Sequence, residues 1–285
     1  MWNAGRTILT AGTLIVATLG GCAAPAASRT AEAASPEIAP TRSQALDQPS
    51  DRANERPTPP PPAPGWERIG TSTQGRPIEA TTIGAGGAIA PRVLLVGGIH
   101  GDEPEGGRTI DAIEAYLRVL RPGATVRIVR DVNPDGTASN ARHSANGIDL
   151  NRNWPAANFR PGSSRGPTPL SEPETRALHD ELERFDPDAV LVVHSSSRGP
   201  FVNYDGPAVE LATVFASAAA ASDGRWRVVP DMGYATPGSL GSYVGVDRGV
   251  PILTLEFDRG HEPDAAWIAM RDGVRAVIEH VRLAR

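Results

Sequence analysis

The sequence predicts an α/β fold, a single domain with a mixed, mostly parallel twisted sheet flanked by helices. Three observations carry that expectation. Wholly apolar runs at Val93–Val96, Ala189–Val193 and Ile252–Leu255 have the length and continuity of strands buried on both faces. Stretches with apolar residues at helical spacing lie between and after them, at 107–120, from 171 onward, and at 265–283. Each run also ends in glycine or a reactive polar side chain, and the carboxyl edge of an open α/β sheet is where such folds gather their ligands.

The totals narrow the function classes. A chain of 285 residues holds one sizeable core, or one domain and a tail. A net charge of -5 provides no basic footprint, so nucleic acid is not an expected partner. The single cysteine, Cys22, rules out a disulfide framework within the chain and speaks against a cysteine-built metal site. Any metal must rest on histidine and carboxylate.

Taken in order, residues 1–22 read as a targeting segment. Arg6 is followed by an apolar run, 7–19, too short for a stable membrane span, and Leu19-Gly20-Gly21-Cys22 resembles a bacterial lipobox. The chain is therefore expected to be exported and lipidated on Cys22, a membrane-anchored lipoprotein on the periplasmic side of the cell envelope. Residues 23–64 are Ala/Pro/Ser-rich and end in a proline run. They have too little apolar surface to offset the entropy of ordering, and read as a disordered tether. The folded domain is expected over 66–285, as a monomer, and no internal repeat is visible.

Within it, 68–83 reads as an edge hairpin turning at Gly75. The buried strand at Val93 comes next, then a helix with Ile110, Ile113, Leu117 and Leu120 at helical spacing. Thr125–Val129 is a strand and Asp131–Gly136 a turn. Residues 139–169 form a long irregular stretch, which inside a compact domain is usually functional. Ser171-Glu172-Pro173-Glu174 reads as a capping box that opens a helix with Leu178, Leu182 and Phe185 inward. After the strand at Ala189 come an alanine-rich helix at 208–221, the strand at Ile252 and a closing helix at 265–283 that buries Trp267, Val274, Ile278 and Val281.

The chemistry sits at the ends of three apolar runs. Val93–Val96 leads through two glycines to His100 and Glu103, the second run leads to His194, and the third to Glu256. Two histidines and one glutamate suit a catalytic zinc, leaving a position open for water. A carboxylate such as Glu256 can take that water's proton. H-x-x-E alone is a weak signal and a polar turn fits it equally. The ordered set of H-x-x-E, Asn133-Pro134-Asp135-Gly136, Asp149-Leu150-Asn151-Arg152-Asn153-Trp154-Pro155, strand-His194-Ser195 and strand-Glu256 is a strong one.

Across essentially the whole stretch after Trp66, this set resembles the zinc carboxypeptidases of the M14 type, and within them the short bacterial branch of murein peptide amidases. The resemblance implies one zinc ion held by His100, Glu103 and His194, with Glu256 as general base. It implies that Asn151 and Arg152 hold the substrate's carboxylate, a task suited to a planar guanidinium fork, and that Arg142 stabilises the oxyanion. Tyr234, 22 residues before Glu256, falls where the family places a substrate-capping tyrosine, with Tyr204 and Tyr243 as other aromatic candidates. Gly241 stands where larger members carry a pocket-floor side chain, so any side-chain preference must come from other residues.

The implied function is zinc-dependent hydrolysis of an amide bond beside a free carboxylate. The expected substrates are peptidoglycan-derived peptides, cut between the D-glutamate side-chain carboxyl and diaminopimelate or by a carboxypeptidase action. The alternatives are a zinc N-acyl-amino-acid deacylase of the succinylglutamate desuccinylase or aspartoacylase kind, and a non-catalytic peptidoglycan-binding lipoprotein. His179 and His280 read as solvated helix residues, His143 as polar surface, and His261 as a loop cap. Asp102 is a candidate to orient a ligand, Glu105 belongs at a helix start, and Asp258 is a cleft-lining residue outside the catalytic set. The serines after His194 lack a G-x-S-x-G elbow, which argues against a serine hydrolase.

Overall fold

The computed structural model describes residues 65–84, 89–260 and 263–284. The expectations for the leader, Cys22, the tether and His261 lie outside these residues. Seven strands form one sheet in the order β1-β2-β4-β3-β5-β7-β6. The central four, β3 (Arg92–Val96), β4 (Thr125–Val129), β5 (Ala189–Ser196) and β7 (Ile252–Asp258), are parallel. The hairpin of β1 (Glu67–Thr71) and β2 (Pro77–Ile83) adds antiparallel to β4, and β6 (Phe201–Asp205) adds antiparallel to β7.

Both faces of the central strands are covered, which is why they read as unbroken apolar runs. On one face Leu95, Val126, Leu191 and Leu253 pack with Ile110 and Leu117 of α1 (Pro104–Leu120). Phe215 of α4 (Val209–Ala220) and Val274 and Ile278 of α5 (Pro263–Leu283) complete that layer. On the other, Leu94, Val96, Val190 and Ile252 meet Leu178 and Leu182 of α3 (Pro173–Phe185), together with Leu150 and Trp154 from the irregular stretch. No helix among the described residues is long and apolar enough to cross a membrane.

Two local expectations change, and one strand joins the sheet without having been expected. The Asp131–Gly136 turn is the entry to a short helix, α2 (Pro134–Ser139). Asn133 caps it by accepting from Gly136 N at 2.9 Å, with Pro134 preset at the first position. The capping box at Ser171 does not form. Glu172 takes the N-cap position of α3 without a side-chain capping hydrogen bond, and Ser171 Oγ accepts from Asn153 Nδ2 at 2.9 Å, because the fully buried Asn153 organises the preceding loop. The strand β6 carries no periodic signal in Phe-Val-Asn-Tyr-Asp. It forms because β7 offers it an open edge, with Phe201 opposite Glu256 and Asp205 opposite Ile252.

Candidate active site

The turn after β3 delivers the first two reactive side chains. Gly98 takes φ +67, and a Cβ there would strike Asp131. Gly101 lies so close to α2 that a Cβ would overlap the backbone of Gly136 and Thr137. The two glycines thereby seat His100 and Glu103 against the Asn133-Pro134-Asp135-Gly136 segment. That segment is fixed in turn from both sides. Asn133 Nδ2 donates to Ile99 O at 3.4 Å and to Arg142 O at 3.2 Å. Asp135 accepts from Ser72 Oγ at 2.7 Å and Gln74 N at 2.8 Å in the β1–β2 turn.

β5 and β7 run further than their apolar cores suggest. Their ladder continues through His194 opposite Glu256 to Ser196 opposite Asp258. His194 and Glu256 therefore stand side by side within paired strands rather than beyond strand ends. Glu103 is the hub of the cluster. His100 Nδ1 lies 3.0 Å from its Oε1 and His194 Nδ1 lies 2.8 Å from its Oε2, while Ser195 N donates to Oε2 at 3.1 Å. The two imidazole rings are 4.7 Å apart. Ligand atoms of His100, Glu103 and His194 all lie within 4.8 Å of one another, and all three residues are buried.

The electrostatics fit a cation at this spot. Burial acts to raise the Glu103 pKa, yet His194 and His100 together hold it well below the usual carboxylate range. Burial alone would lower the His100 pKa, but Asp149 and Glu103 raise it above the ordinary value. Burial raises the Glu256 pKa against the pull of His194, and the charge on Glu103 adds to the rise. Glu256 Oε2 and His194 Nε2 are buried without a hydrogen-bond partner among the described residues. A buried carboxylate oxygen left open beside a His2Glu donor set is what a site holding a metal and a water requires.

The other expected residues surround one cavity of about 410 Å³. Arg142, Asn151, Arg152, Tyr234 and Tyr204 line it together with His100, Glu103, His194 and Glu256. Arg142 donates to Glu103 Oε1 at 3.2 Å and to Asp149 Oδ2 at 3.3 Å. Asn151 Oδ1 accepts from Leu240 N at 3.0 Å, which fixes the amide and joins the loop to the 238–241 segment. Arg152 Nη1 donates to Asn151 O at 2.6 Å. Tyr234 is 53% exposed on the rim, while Tyr243 is absent from the cavity and stacks on Trp154 and His179 instead.

That stacking corrects the solvated reading of His179, which is mostly covered and meets Tyr243 Oη at 3.2 Å through Nε2. His280 is likewise paired, 3.6 Å from Glu210. Asp258 is not among the cavity residues and pairs with Arg225 at 2.8 Å. Glu105 is buried in the first turn of α1, where it accepts from Gly260 N at 2.7 Å.

Two contributors escaped the sequence reading. Asp149 Oδ1 lies 3.1 Å from His100 Nε2, and the same carboxylate accepts from Arg142, so one acid aims a candidate ligand and a candidate oxyanion donor. Its signal was present as the first residue of the Asp149–Pro155 motif. Arg259, three residues after Glu256, donates to Glu103 Oε1 and Asp102 Oδ2 at 3.4 Å. Only its position just past an acid at a strand end could have drawn notice.

Comparison with known proteins agrees with this geometry. Residues 65–234 match the family model of peptidase M14, described as zinc carboxypeptidase, a span that ends before Glu256. The chain is 34% identical to murein peptide amidase A of Escherichia coli K12 over 212 residues, covering 68% of this chain and 81% of that protein. It is 28% identical to murein peptide amidase A of Vibrio campbellii over 181 residues, covering 58% and 69%. Among solved structures, the murein-tripeptide amidase from Escherichia coli O157 superposes with a TM-score of 0.59 at 28% identity, over 77% of this chain and 92% of that one. Carboxypeptidase A from Helicoverpa armigera, at 19% identity and TM-score 0.63 over 75% and 68%, shares the fold. With the ordered motifs brought to one cavity, the chain belongs to the M14 family of zinc carboxypeptidases and is a hydrolytic enzyme.

Proposed function

We propose that this chain is a monomeric zinc amidase that cuts peptidoglycan-derived peptides beside a free carboxylate, at the bond joining the D-glutamate side-chain carboxyl to diaminopimelate. The observation that carries the reading is the single cavity in which a buried His100–Glu103–His194 cluster and Glu256 share space with Arg142, Asn151 and Arg152. The names of the similar amidases supply the substrate class.

His100, Glu103 and His194 would hold the ion. When bound, zinc supplies a water whose pKa is lowered to about 7. Glu256 would act as the proton carrier, accepting a proton from the attacking water as a C–O bond forms at the amide carbon and returning it to the leaving amine as the C–N bond breaks. Raised above the ordinary carboxylate value, Glu256 is suited to both halves of this transfer. Arg142, held by Asp149, faces the developing oxyanion. Arg152 and Asn151 grip the carboxylate on the leaving residue, and Tyr234 covers the substrate from the rim.

The lipid anchor on Cys22, the tether over 23–64 and the envelope location belong to the same proposal. They rest on the sole cysteine's place in the lipobox-like stretch and on the composition that follows it. No observation favours the N-acyl-amino-acid deacylase, which would draw on the same three ligands. Mass spectrometry of a muropeptide digest tests the reading. Release of diaminopimelate-containing fragments, stopped by a zinc chelator, is the expected result. Release of acyl groups from N-acyl amino acids with intact muropeptides would overturn it.

A further inference from the structure

Exposed apolar side chains gather at one end of the sheet. Among the described residues eight large apolar side chains are exposed, and six of them, Ile89, Val119, Leu120, Val209, Val246 and Leu283, lie at the edge where the parallel strands begin. The other two are Tyr234 on the cavity rim and Ile268 near the start of α5. His194 and Glu256 stand toward the opposite, carboxyl end of β5 and β7.

Topology places the six together. α1 and α5 each follow a parallel strand and run back along the sheet, so their last turns, with Val119, Leu120 and Leu283, return to the amino edge. α4 starts there, because β6 runs antiparallel and ends opposite Ile252, the first residue of β7. α5 packs against both α1 and α4, and its His280 lies 3.6 Å from Glu210, the neighbour of Val209. Gly123 lies so close to Arg282 that a Cβ would meet Cδ at 2.8 Å, which seats Leu283 beside the turn after Leu120. Thr125 N donates to Pro91 O at 2.8 Å and brings the segment carrying Ile89 to the same turn. Next to Val246, Gly245 packs on Gly206 at the end of β6.

The acids at this end are largely matched. Glu114, Glu183 and Asp186 pair with Arg118, Arg248 and Arg92, and Glu210 faces His280. The exposed Glu279 lies one turn before Leu283. Arg121 and Arg282 are exposed, adjoin Leu120 and Leu283 in the chain, and have no ion-pair partner among the described residues. The domain is also entered from this end. β1 runs parallel to β4, away from the amino edge. Gly65, two residues before β1, accepts from Thr81 Oγ1 and lies beside Arg118 in the last turn of α1. The proposed tether over 23–64 thus joins the domain next to the apolar row.

We infer that this amino end docks on the anionic surface of the membrane that holds Cys22, with the apolar tips among the headgroups and Arg121 and Arg282 on lipid phosphates. The inference rests on the proposed lipid anchor for the presence of that membrane. Single apolar tips interleaved with guanidinium groups suit a lipid interface, where the headgroups meet the cations and the acyl boundary takes the tips. A weak surface is enough, because a tether makes docking an intramolecular step. Docked in this way, the domain turns the His194–Glu256 end of its sheet away from the lipid.

The test uses the mature full-length protein on vesicles of phosphatidylcholine, alone or mixed with phosphatidylglycerol. Hydrogen exchange read by mass spectrometry is expected to slow over 118–124 and 279–284 on the mixed vesicles, and to stay unchanged over 234–240 at the cavity. Arg121→Glu combined with Arg282→Glu should cut the ratio of docked to undocked protein by about tenfold or more. Val119→Ser combined with Leu283→Ser should also lower it, and both double variants should turn over a soluble muropeptide like wild type. Equal exchange with and without vesicles, or slowing that survives both double variants, would overturn the inference and leave the lipid anchor standing. Slowing by isolated cell-wall sacculi but not by vesicles would overturn the choice of partner. An unmodified Cys22 in the mature protein would overturn the anchor, and slowed exchange on the mixed vesicles would then leave the docking surface standing.

Discussion

Glu256 and Arg152 line one cavity, yet their loss should register differently. Glu256→Gln keeps size and much of the hydrogen bonding but cannot accept a proton. It is expected to lower kcat about 10²–10⁴-fold with zinc content unchanged. Arg152→Ala should raise KM for a free-acid substrate and leave its amidated counterpart nearly indifferent. Steady-state kinetics of both variants on a free-acid and amidated pair separates the two roles. Equal harm to both substrates by Arg152→Ala would make it structural. Asp149 adds a third signature, because it contacts His100 Nε2 and Arg142 with one carboxylate. Asp149→Ala should weaken zinc affinity about 10–100-fold, measured by chelator competition, and lower kcat further even at saturating zinc, because Arg142 loses its anchor. An unchanged zinc affinity would remove Asp149 from the orienting role. His100, Glu103, His194 and Glu256 were legible because motif spacing and strand ends mark them. Asp149 and Arg259 were harder, because their value lies in which side chain they meet across 49 and 156 residues.

At the scale of elements, the segment joining β4 to α2 carries a pH dependence. Burial pushes the Asp131 carboxyl up to about 6, against the hydrogen bonds it accepts from Thr137 and from Asn133 N at 3.0 Å. A carboxyl whose folded pKa exceeds its unfolded value keeps its proton in the folded state over the intervening pH range. Stability from this group therefore falls as pH rises from about 4 to about 6, and the loss is complete above that window. Denaturant titrations across pH 4–7 should show this decline in the wild type and a flatter profile in Asp131→Asn, which retains an acceptor for Asn133 N. Parallel profiles would sink the assignment. The same junction shows why element boundaries were less legible than element types. Asp131–Gly136 reads locally as a turn, and only its packing under Gly101 and its cap at Asn133 make it the start of a helix. Ser171 has the chemistry of an N-cap, but the distant Asn153 claims its hydroxyl and moves the cap to Glu172.

At the scale of the molecule, every described site residue belongs to the stretch after 64, and both core layers close within it. A chain lacking residues 1–64 is expected to fold, bind zinc and cleave the same substrate. Circular dichroism, zinc content and turnover check this, and a truncated chain that fails to fold would move the domain boundary toward the N-terminus. The sequence by itself determined the α/β class and the central parallel strands, because strands buried on both faces must be apolar along their whole length. It also determined the identity of the candidate ligands and base, because the chemistry restricts their residue types and the chain repeats a known spacing. Only the tertiary structure decided that His194 and Glu256 are neighbours in one ladder, that Asp149 backs His100, and that β6 completes the sheet and contributes to the cavity lining. These facts depend on the pairing of segments far apart in the chain. Strand register and loop packing are settled by burial and by backbone hydrogen bonds between elements, and no local pattern of residues encodes them.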